Sequence, residues 1–419
     1  PGARAVLDGR FPDIRKDSDI TKLKSLPRGT DLVAAGFPCQ DLSQVGATAG
    51  IDGARSGLIL KVFDLLRQAK LAHRSVPWVL IENVSFMLQL ARGRALAVIV
   101  DALEDLGYRW AYRVVDSMAF GVPQRRERVY LVASLDCDPR GVLFVDEAGE
   151  PEPLRPSKDL AFGFYWTEGT RGLGAAVDAV PTLKGGSTVG IPSPPAALLP
   201  GGRVVTPCIH DAERLQGFPP DWTLPVETVV RASHRWKLVG NAVTVPVAEW
   251  LGGRLAAPGQ YDGSFDARLE VGARWPAAAW GTGSGKKRYA AALTKFPAHR
   301  TSLPLHEFLQ NPRLLSAKAA AGFWDRLQKS SLRRPAWFDH GIERHIARMA
   351  RAKTRDVGRC ATCSPRESLP GAYAKFDATS HRSGNIGAPL PNPTAAYLAR
   401  ARRASSTPRA GTPVSSREP

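Results

Sequence analysis

The sequence predicts an α/β fold: a doubly wound, mostly parallel sheet that carries a loop-rich insertion and is followed by a basic C-terminal extension, partly helical and partly disordered. Three observations predict it. Short apolar runs recur at residues 31–37 (DLVAAGF), 78–84 (WVLIENV) and 128–133 (RVYLVA), the pattern of buried parallel strands. Between them, residues 57–70 and 92–106 place apolar side chains at helical spacing, with Gly107 as a helix stop. Residues 135–205 then break the alternation with Gly, Pro, Ser and Thr, as in PTLKGGSTVGIPSPP at 181–195.

Taken in order, residues 1–134 read as the main domain. In open sheets of this type ligands bind beyond the carboxyl ends of the strands, and that is where Cys39 and Glu82 arrive. Residues 135–205 read as a loop-rich inserted domain whose composition argues against core building. Helical signal returns at 211–217, closed by Gly217-Phe218-Pro219-Pro220, and again at 246–256, so residues 206–256 are expected to complete the main domain. Residues 257–303, rich in Gly, Ala and Trp, read as a linker, and 304–350 as a small amphipathic helical region. Residues 351–419 are rich in Arg, Pro and Ser with few core formers and read as a disordered tail.

Composition narrows the function classes. At 419 residues with 43% hydrophobic and 23% charged residues, the chain has the make-up of a soluble globular protein. It shows neither the long apolar stretch of a membrane span nor the layout of a signal peptide, which predicts a cytoplasmic location. The cysteines (Cys39, Cys137, Cys208, Cys360 and Cys363) are too scattered for a disulfide framework, so free thiols in a reduced compartment are expected. Cys360-x-x-Cys363, with His345 and His381 as further ligands, lacks a second close pair, and no metal site is predicted. The net charge of +18 is concentrated: residues 281–419 hold 25 Lys and Arg against 8 Asp and Glu, a surplus of 17. That third is either a module that grips DNA phosphates or a solubilising tail.

One constellation carries chemistry. A thiolate adds to C6 of a cytosine ring only where partners offset the charge that spreads over the ring, and a carboxylic acid at N3 with a cation near O2 would do so. Cys39 follows the first strand run, Glu82 ends the second, and Arg126 and Arg128 start the third. Taken singly, Cys39 would read as a buried structural residue.

Five segments change that reading: GFPCQDLS (36–43), ENV (82–84), QRRER (124–128), ERLQGFPPDW (213–222) and GNAVTVPVAEW (240–250). They resemble, in order, the fourth, sixth, eighth, ninth and tenth motifs of the cytosine-C5 DNA methyltransferases, over about residues 1–256, and five short motifs in order are far more specific than any one. The resemblance implies a sheet of the S-adenosylmethionine-dependent methyltransferase type and a target-recognition domain at 135–205. It further implies that Cys39 attacks C6, Glu82 engages N3 and the exocyclic amine, Arg128 holds O2 and Arg126 braces the loop bearing Cys39. Gln40 and Ser43 would touch the DNA and help fill the gap left by the extruded base. For S-adenosyl-L-methionine, Asp19 would meet the adenine amine with Ile20 beside the ring. Pro38 and Leu58 would line the methionine end, and Asn241 with Ala242 would close the pocket.

The implied substrate is double-stranded DNA, and the implied setting a prokaryotic, nucleoid-associated monomer of a restriction-modification system, with a cognate endonuclease as partner. The sequence departs from the family in lacking the Gly-rich first motif and the acidic residue of the second, so the chain as given is expected to bind the methyl donor weakly and to methylate poorly. Two readings stay open beside this one: a transfer-RNA cytosine-C5 methyltransferase, against which stands the long variable segment, and a non-catalytic DNA-binding remnant. A cysteine hydrolase is less favoured, because no His sits in a motif suited to activating Cys39.

Overall fold

A computed structural model of the chain describes residues 1–37, 57–185, 192–270, 272–283 and 287–360, with side chains through residue 352. Pro38, Cys39, Gln40 and Ser43 lie outside the described residues, as do Cys363, His381 and the whole of 361–419. The chain opens with helix α1 (Gly2–Arg10), and a 3-10 turn at Ile20–Lys22 precedes strand β1 (Leu32–Gly36). There follow α2 (Gly57–Leu71), β2 (Trp78–Val84), α3 (Arg94–Asp105), β3 (Arg109–Asp116), the two-residue β4 (Gln124–Arg125), β5 (Glu127–Ser134) and α4 (Arg140–Leu143).

Strands β1, β2, β5 and β3 lie side by side in that order. β1 pairs with β2 in parallel, whereas β5 runs antiparallel to both β2 and β3. The α/β class predicted from sequence stands, but the parallel share is smaller than expected. Residues 117–126, which join β3 to β5, are too few to form the crossover helix that a parallel pairing requires. Successive side chains of β5 face opposite ways. Val129, Leu131 and Ala133 bury against Phe63 and Leu66 of α2 and Ile99 and Leu103 of α3. Tyr130 and Val132 pack in a second core with Val142 and Leu143 of α4. Each fully buried large apolar side chain is worth about 1.5–3 kcal/mol, so two cores on one sheet fix its register firmly.

The insertion holds β6 (Phe162–Phe164), β7 (Ala176–Val177), β8 (Val180–Pro181), β9 (Ala196–Leu199) and β10 (Arg203–Thr206), and the chain returns through α5 (Ile209–Leu215), α6 (His234–Asn241) and α7 (Val245–Ala256). Val247 and Leu251 of α7 close the second core, as the helical spacing at 246–256 predicts. Next come β11 (Ala267–Arg268), β12 (Ala278–Gly281), β13 (Arg288–Ala290), α8 (Leu305–Phe308), β14 (Arg313–Leu314), α9 (Ala317–Gln328) and α10 (Ala336–Cys360).

Four boundaries differ from the sequence reading. Residues 257–303 are no mere linker: β12 pairs with β3 and carries β13 and β11 beyond it, which extends the main sheet to seven strands. Small Ala278 and Ala279 look like linker residues but are fully buried because they cover the edge of β3. The insertion does build a core, since Phe162, Phe164, Leu198 and Val204 bury together. That core is shared with Phe323 and Leu327 of α9 and Phe338 and Ile342 of α10, while β14 pairs with β10. Residues 304–350 thus complete the inserted domain instead of standing apart. Finally, α10 runs to Cys360, so the first residues of the expected tail are helical. No described helix is long and apolar enough to cross a membrane.

Candidate active site

The sheet delivers Glu82 and Arg128 to one place. Glu82 stands opposite Gly36 of β1 and Tyr130 of β5, while Arg128 stands opposite Val84. Two residues apart along β5, Arg128 and Tyr130 share a face, which makes Arg128 the diagonal neighbour of Glu82. The Nε of Arg128 lies 3.1 Å from Glu82 Oε1, and both side chains are largely buried. Burial raises the Glu82 carboxyl above its ordinary value, although Arg128 and then Arg126 pull it down. A carboxyl so placed takes up and holds a proton at higher pH than an exposed one.

Arg126, between β4 and β5, is 2% exposed. Its Nη1 donates to Leu183 O at 3.3 Å, and its Nη2 to Gly240 O at 3.3 Å and Ala242 O at 2.7 Å. Its Nε, also buried, has no partner among the described residues. Burial, reinforced by the neighbouring charge of Arg128, brings its pKa down to about 10, so the guanidinium stays charged near neutrality. Glu82, Arg126, Arg128 and Asn241, with Gly36 and Phe37 at the end of β1, line one cavity of about 380 Å³. Cys39 is two residues beyond Phe37 in sequence; its own position lies outside the described residues.

Several residues that the sequence reading passed over hold this cavity in shape. Asn83 Nδ2 donates to Phe37 O at 3.0 Å and so ties the end of β1 to β2. Gln124, fully buried, accepts from Leu183 N at 2.9 Å and donates to Leu215 O at 2.8 Å. Gln216, equally buried, donates to Val239 O and accepts from Thr244 Oγ1, each at 2.9 Å. Helix α6 meets the insertion backbone to backbone: a Cβ on Gly240 would lie 2.4 Å from the carbonyl carbon of Lys184, so only glycine fits there. All of these lie inside or beside the quoted motifs, but their type gave no sign of the partner. Glu213 is a further case. Its carboxylate accepts from Asp221 N at 2.7 Å and Thr223 N at 2.8 Å, and pairs with Arg235 Nη2 at 3.0 Å.

The residues assigned to the methyl donor are found at several places in the fold. Asp19 caps the 3-10 turn, its Oδ1 accepting from Thr21 N at 2.9 Å and Thr21 Oγ1 at 2.6 Å. Those bonds hold its carboxyl below the ordinary range, and Oδ2 has Lys22 Nζ at 3.9 Å. Ile20 packs on the core that α2 helps build, and Leu58 is half-buried in the first turn of α2. An ionised carboxylate at Asp19, followed in the chain by the aliphatic Ile20, has the chemistry that suits the amine and ring of an adenine. Asp19, Ile20, Leu58 and Ala242 are not among the residues lining the 380 Å³ cavity, while Asn241 is. His345, weighed as a metal ligand, has both ring nitrogens engaged: Nδ1 accepts from Val204 N at 3.2 Å and Nε2 donates to Leu315 O at 2.8 Å.

The family model described as C-5 cytosine-specific DNA methylase matches residues 3–146 and 203–257, leaving out β6 to β9 of the insertion. The chain is 48% identical over 335 residues to Type II methyltransferase M2.BsuMI of Bacillus subtilis (strain 168), covering 78% of this chain and 85% of that protein. It is 28% identical over 255 residues to Type II methyltransferase M.MspI of a Moraxella species, covering 55% of this chain and 57% of that one. Against Type II methyltransferase M.NgoBI of Neisseria gonorrhoeae the identity is 28% over 239 residues, or 52% of this chain and 72% of that protein. With its arginine and glutamate pair at one cavity and its relative matched over most of its length, the chain belongs to the C-5 cytosine-specific DNA methylases.

Proposed function

We propose that this protein methylates C5 of cytosine in double-stranded DNA through a covalent bond between Cys39 and C6, as the modification enzyme of a type II restriction-modification pair. The observation that carries the reading is the buried Glu82–Arg128 pair on the wall of a cavity that Phe37 also lines, two residues before Cys39 in the sequence.

The base must leave the stack, because C5 and C6 are attacked from above and below the ring; extrusion costs a few kcal/mol. The Cys39 thiolate forms the S–C6 bond while the C5–C6 π pair moves toward C5 and the ring. Glu82, whose affinity for a proton is raised by burial, gives a proton to N3 and accepts from the exocyclic amine with its other oxygen. Arg128 donates to O2 and offsets the charge that gathers there, with Arg126 keeping the wall behind it rigid. S-adenosylmethionine, when bound, supplies the methyl group that C5 acquires; Asp19, Ile20, Pro38, Leu58, Asn241 and Ala242 would hold it. Solvent then takes the C5 proton, its electron pair re-forms the C5–C6 double bond as the S–C6 bond breaks, N3 returns its proton to Glu82, and the thiolate is restored.

The test is a duplex carrying 5-fluorocytosine, from which no C5 proton can leave. With S-adenosylmethionine present, the protein is expected to form a complex that survives denaturing electrophoresis, and Cys39→Ser is expected to abolish it. No such complex with the unaltered protein, on duplexes covering all short sequence contexts, would overturn the reading.

A further inference from the structure

The recognition loop beside the active site is held from outside the part of the chain that the family model matches. Residues 165–169 follow β6. Tyr165 anchors the loop at its start, its hydroxyl donating to Thr182 O at 2.8 Å, and Thr182 Oγ1 in turn donates to Arg125 O at 2.8 Å. Because β4 pairs with β8, and Arg126 donates to Leu183 O, residues 182–183 adjoin the arginine wall of the cavity, and Tyr165 ties the start of the loop to them. The polar side chains of the loop are exposed or half-exposed. Thr167 is exposed and meets Ser193 Oγ at 3.3 Å, while Glu168 pairs with Lys184, whose ammonium lies 3.7 Å from the centre of the Tyr165 ring. Carboxylate, ammonium and hydroxyl are the groups that distinguish base edges in the major groove: a carboxylate accepts from cytosine N4, and an ammonium donates to guanine O6 and N7.

Two backbone carbonyls of this loop, those of Trp166 and Glu168, have a partner on a distant helix. Both are taken by a single guanidinium: Arg326 Nε donates to Glu168 O at 3.0 Å and Nη2 to Trp166 O at 2.8 Å. Arg326 stands on α9, well beyond residue 257, where the family match ends. Phe323, one helical turn earlier and fully buried, closes the same contact. A Cβ on Gly169 would lie 3.3 Å from its ring, and Gly169 has a φ of +117°, open to glycine alone. The planar fork of a guanidinium fixes two carbonyls in one rigid geometry, which the single rotating ammonium of a lysine holds less firmly.

We propose that Arg326 is a specificity-positioning residue: it holds the carbonyls of Trp166 and Glu168 and thereby aims loop 165–169 at the bases beside the target cytosine. The inference rests on the reading that the protein methylates cytosine in DNA. It assigns a role in sequence choice to the C-terminal helices, through Arg326, without giving them any contact with the reacting ring.

The experiment compares the full chain with Arg326→Gln and Arg326→Lys. Plasmid DNA from cells expressing each is bisulfite sequenced to find the preferred site and the sites that differ from it by one base pair. The rates on both kinds of site are then measured on purified DNA. The unaltered protein is expected to methylate one sequence well above its single-mismatch neighbours. In Arg326→Gln that discrimination falls about tenfold, more than the rate on the preferred site falls, and amide hydrogen exchange quickens at residues 165–169 while the sheet core keeps its protection. Arg326→Lys lies between. Discrimination unchanged in Arg326→Gln, with the unaltered protein active, overturns the role of Arg326 and leaves the methylation reading intact. No cytosine methylation by the unaltered protein overturns both. A fall in discrimination accompanied by equal loss of protection throughout the sheet core also overturns the proposal, since the side chain would then act on stability alone.

Discussion

Replacing Glu213 by alanine is expected to cost about 3–5 kcal/mol of folding stability, as for other broken buried ion pairs. The side chain is fully buried, and Arg235 is 4% exposed. Truncation strands the backbone N–H groups of Asp221 and Thr223, each left with an unmet donor worth about 1–3 kcal/mol. It also removes the innermost of three carboxylates around Arg235. The other two, Asp221 and Glu227, contact the same guanidinium at 2.9 and 3.0 Å but from half-exposed positions, so they soften the loss and place it toward the lower end. Glu213→Gln keeps one acceptor oxygen and is expected to lose about 1–3 kcal/mol. Since a native domain has about 5–15 kcal/mol in hand, both variants should fold, with the alanine protein close to its limit. Urea unfolding at pH 7 measures the difference, read at constant slope so that the unfolded state is comparable. Arg235 lies in the first turn of α6, the helix that ends at Asn241 on the cavity wall, so the variants should lose activity before they unfold. An alanine variant within about 1 kcal/mol of the unaltered protein would refute the reasoning, because no surface ion pair is worth more than that.

Two further outcomes follow from titrating groups. Burial raises Glu82, so its protonated form is favoured in the folded protein; that contribution is complete below about 4.5, the ordinary value, and is withdrawn as pH rises through the raised one. Glu82→Gln should therefore flatten this part of the pH–stability curve while lowering the methylation rate by about 10²–10⁴-fold, and a variant with normal rate would remove Glu82 from the proton transfer. Burial lowers His345, which accepts from Val204 N and can do so only while neutral. The stability it contributes is present above 6.5, its ordinary value, and is lost as pH falls through the depressed one. His345→Asn should be less stable than the unaltered protein at pH 7.5 and lose less between pH 7.5 and 5.5; equal losses over that interval would show that the imidazole does not titrate against folding.

Much of the central sheet can be read from local pattern, because β1, β2 and β5 each carry a short apolar run, although β1, at the end of the sheet, is exposed or half-buried throughout while β5 buries all but its first two residues. β3 is as buried but was passed over, and Arg113 explains why. A charged residue in mid-strand argues against a core strand until its guanidinium is seen to donate to Thr294 O at 2.8 Å and Leu143 O at 3.0 Å, and to pair with Glu147. Those partners lie up to 181 residues away. The two-residue strands β7 and β8 and the alanine-rich β12 are invisible for a related reason: their pairing comes from register with other strands and not from any periodicity of their own. At the site, Glu82, Arg126, Arg128 and Asn241 were legible as residue types in motifs, and the structure lines one cavity with them. Arg326 was not, because its signal is two backbone carbonyls on a loop about 160 residues earlier.

The shared core of the insertion and helices α9 and α10 bears on how specificity could be exchanged between relatives. Phe162 and Phe164 come from one stretch of the gene and their neighbours Phe323 and Phe338 from another, with the whole of α5 to β13 encoded between them. A recombination event that imports only the first stretch sets foreign aromatic rings against resident helices, and one that imports only the second does the reverse. Exchanging the insertion of this chain for a relative's would therefore require exchanging α9 and α10 with it, and hybrids made by a single exchange are expected to be less stable than either parent.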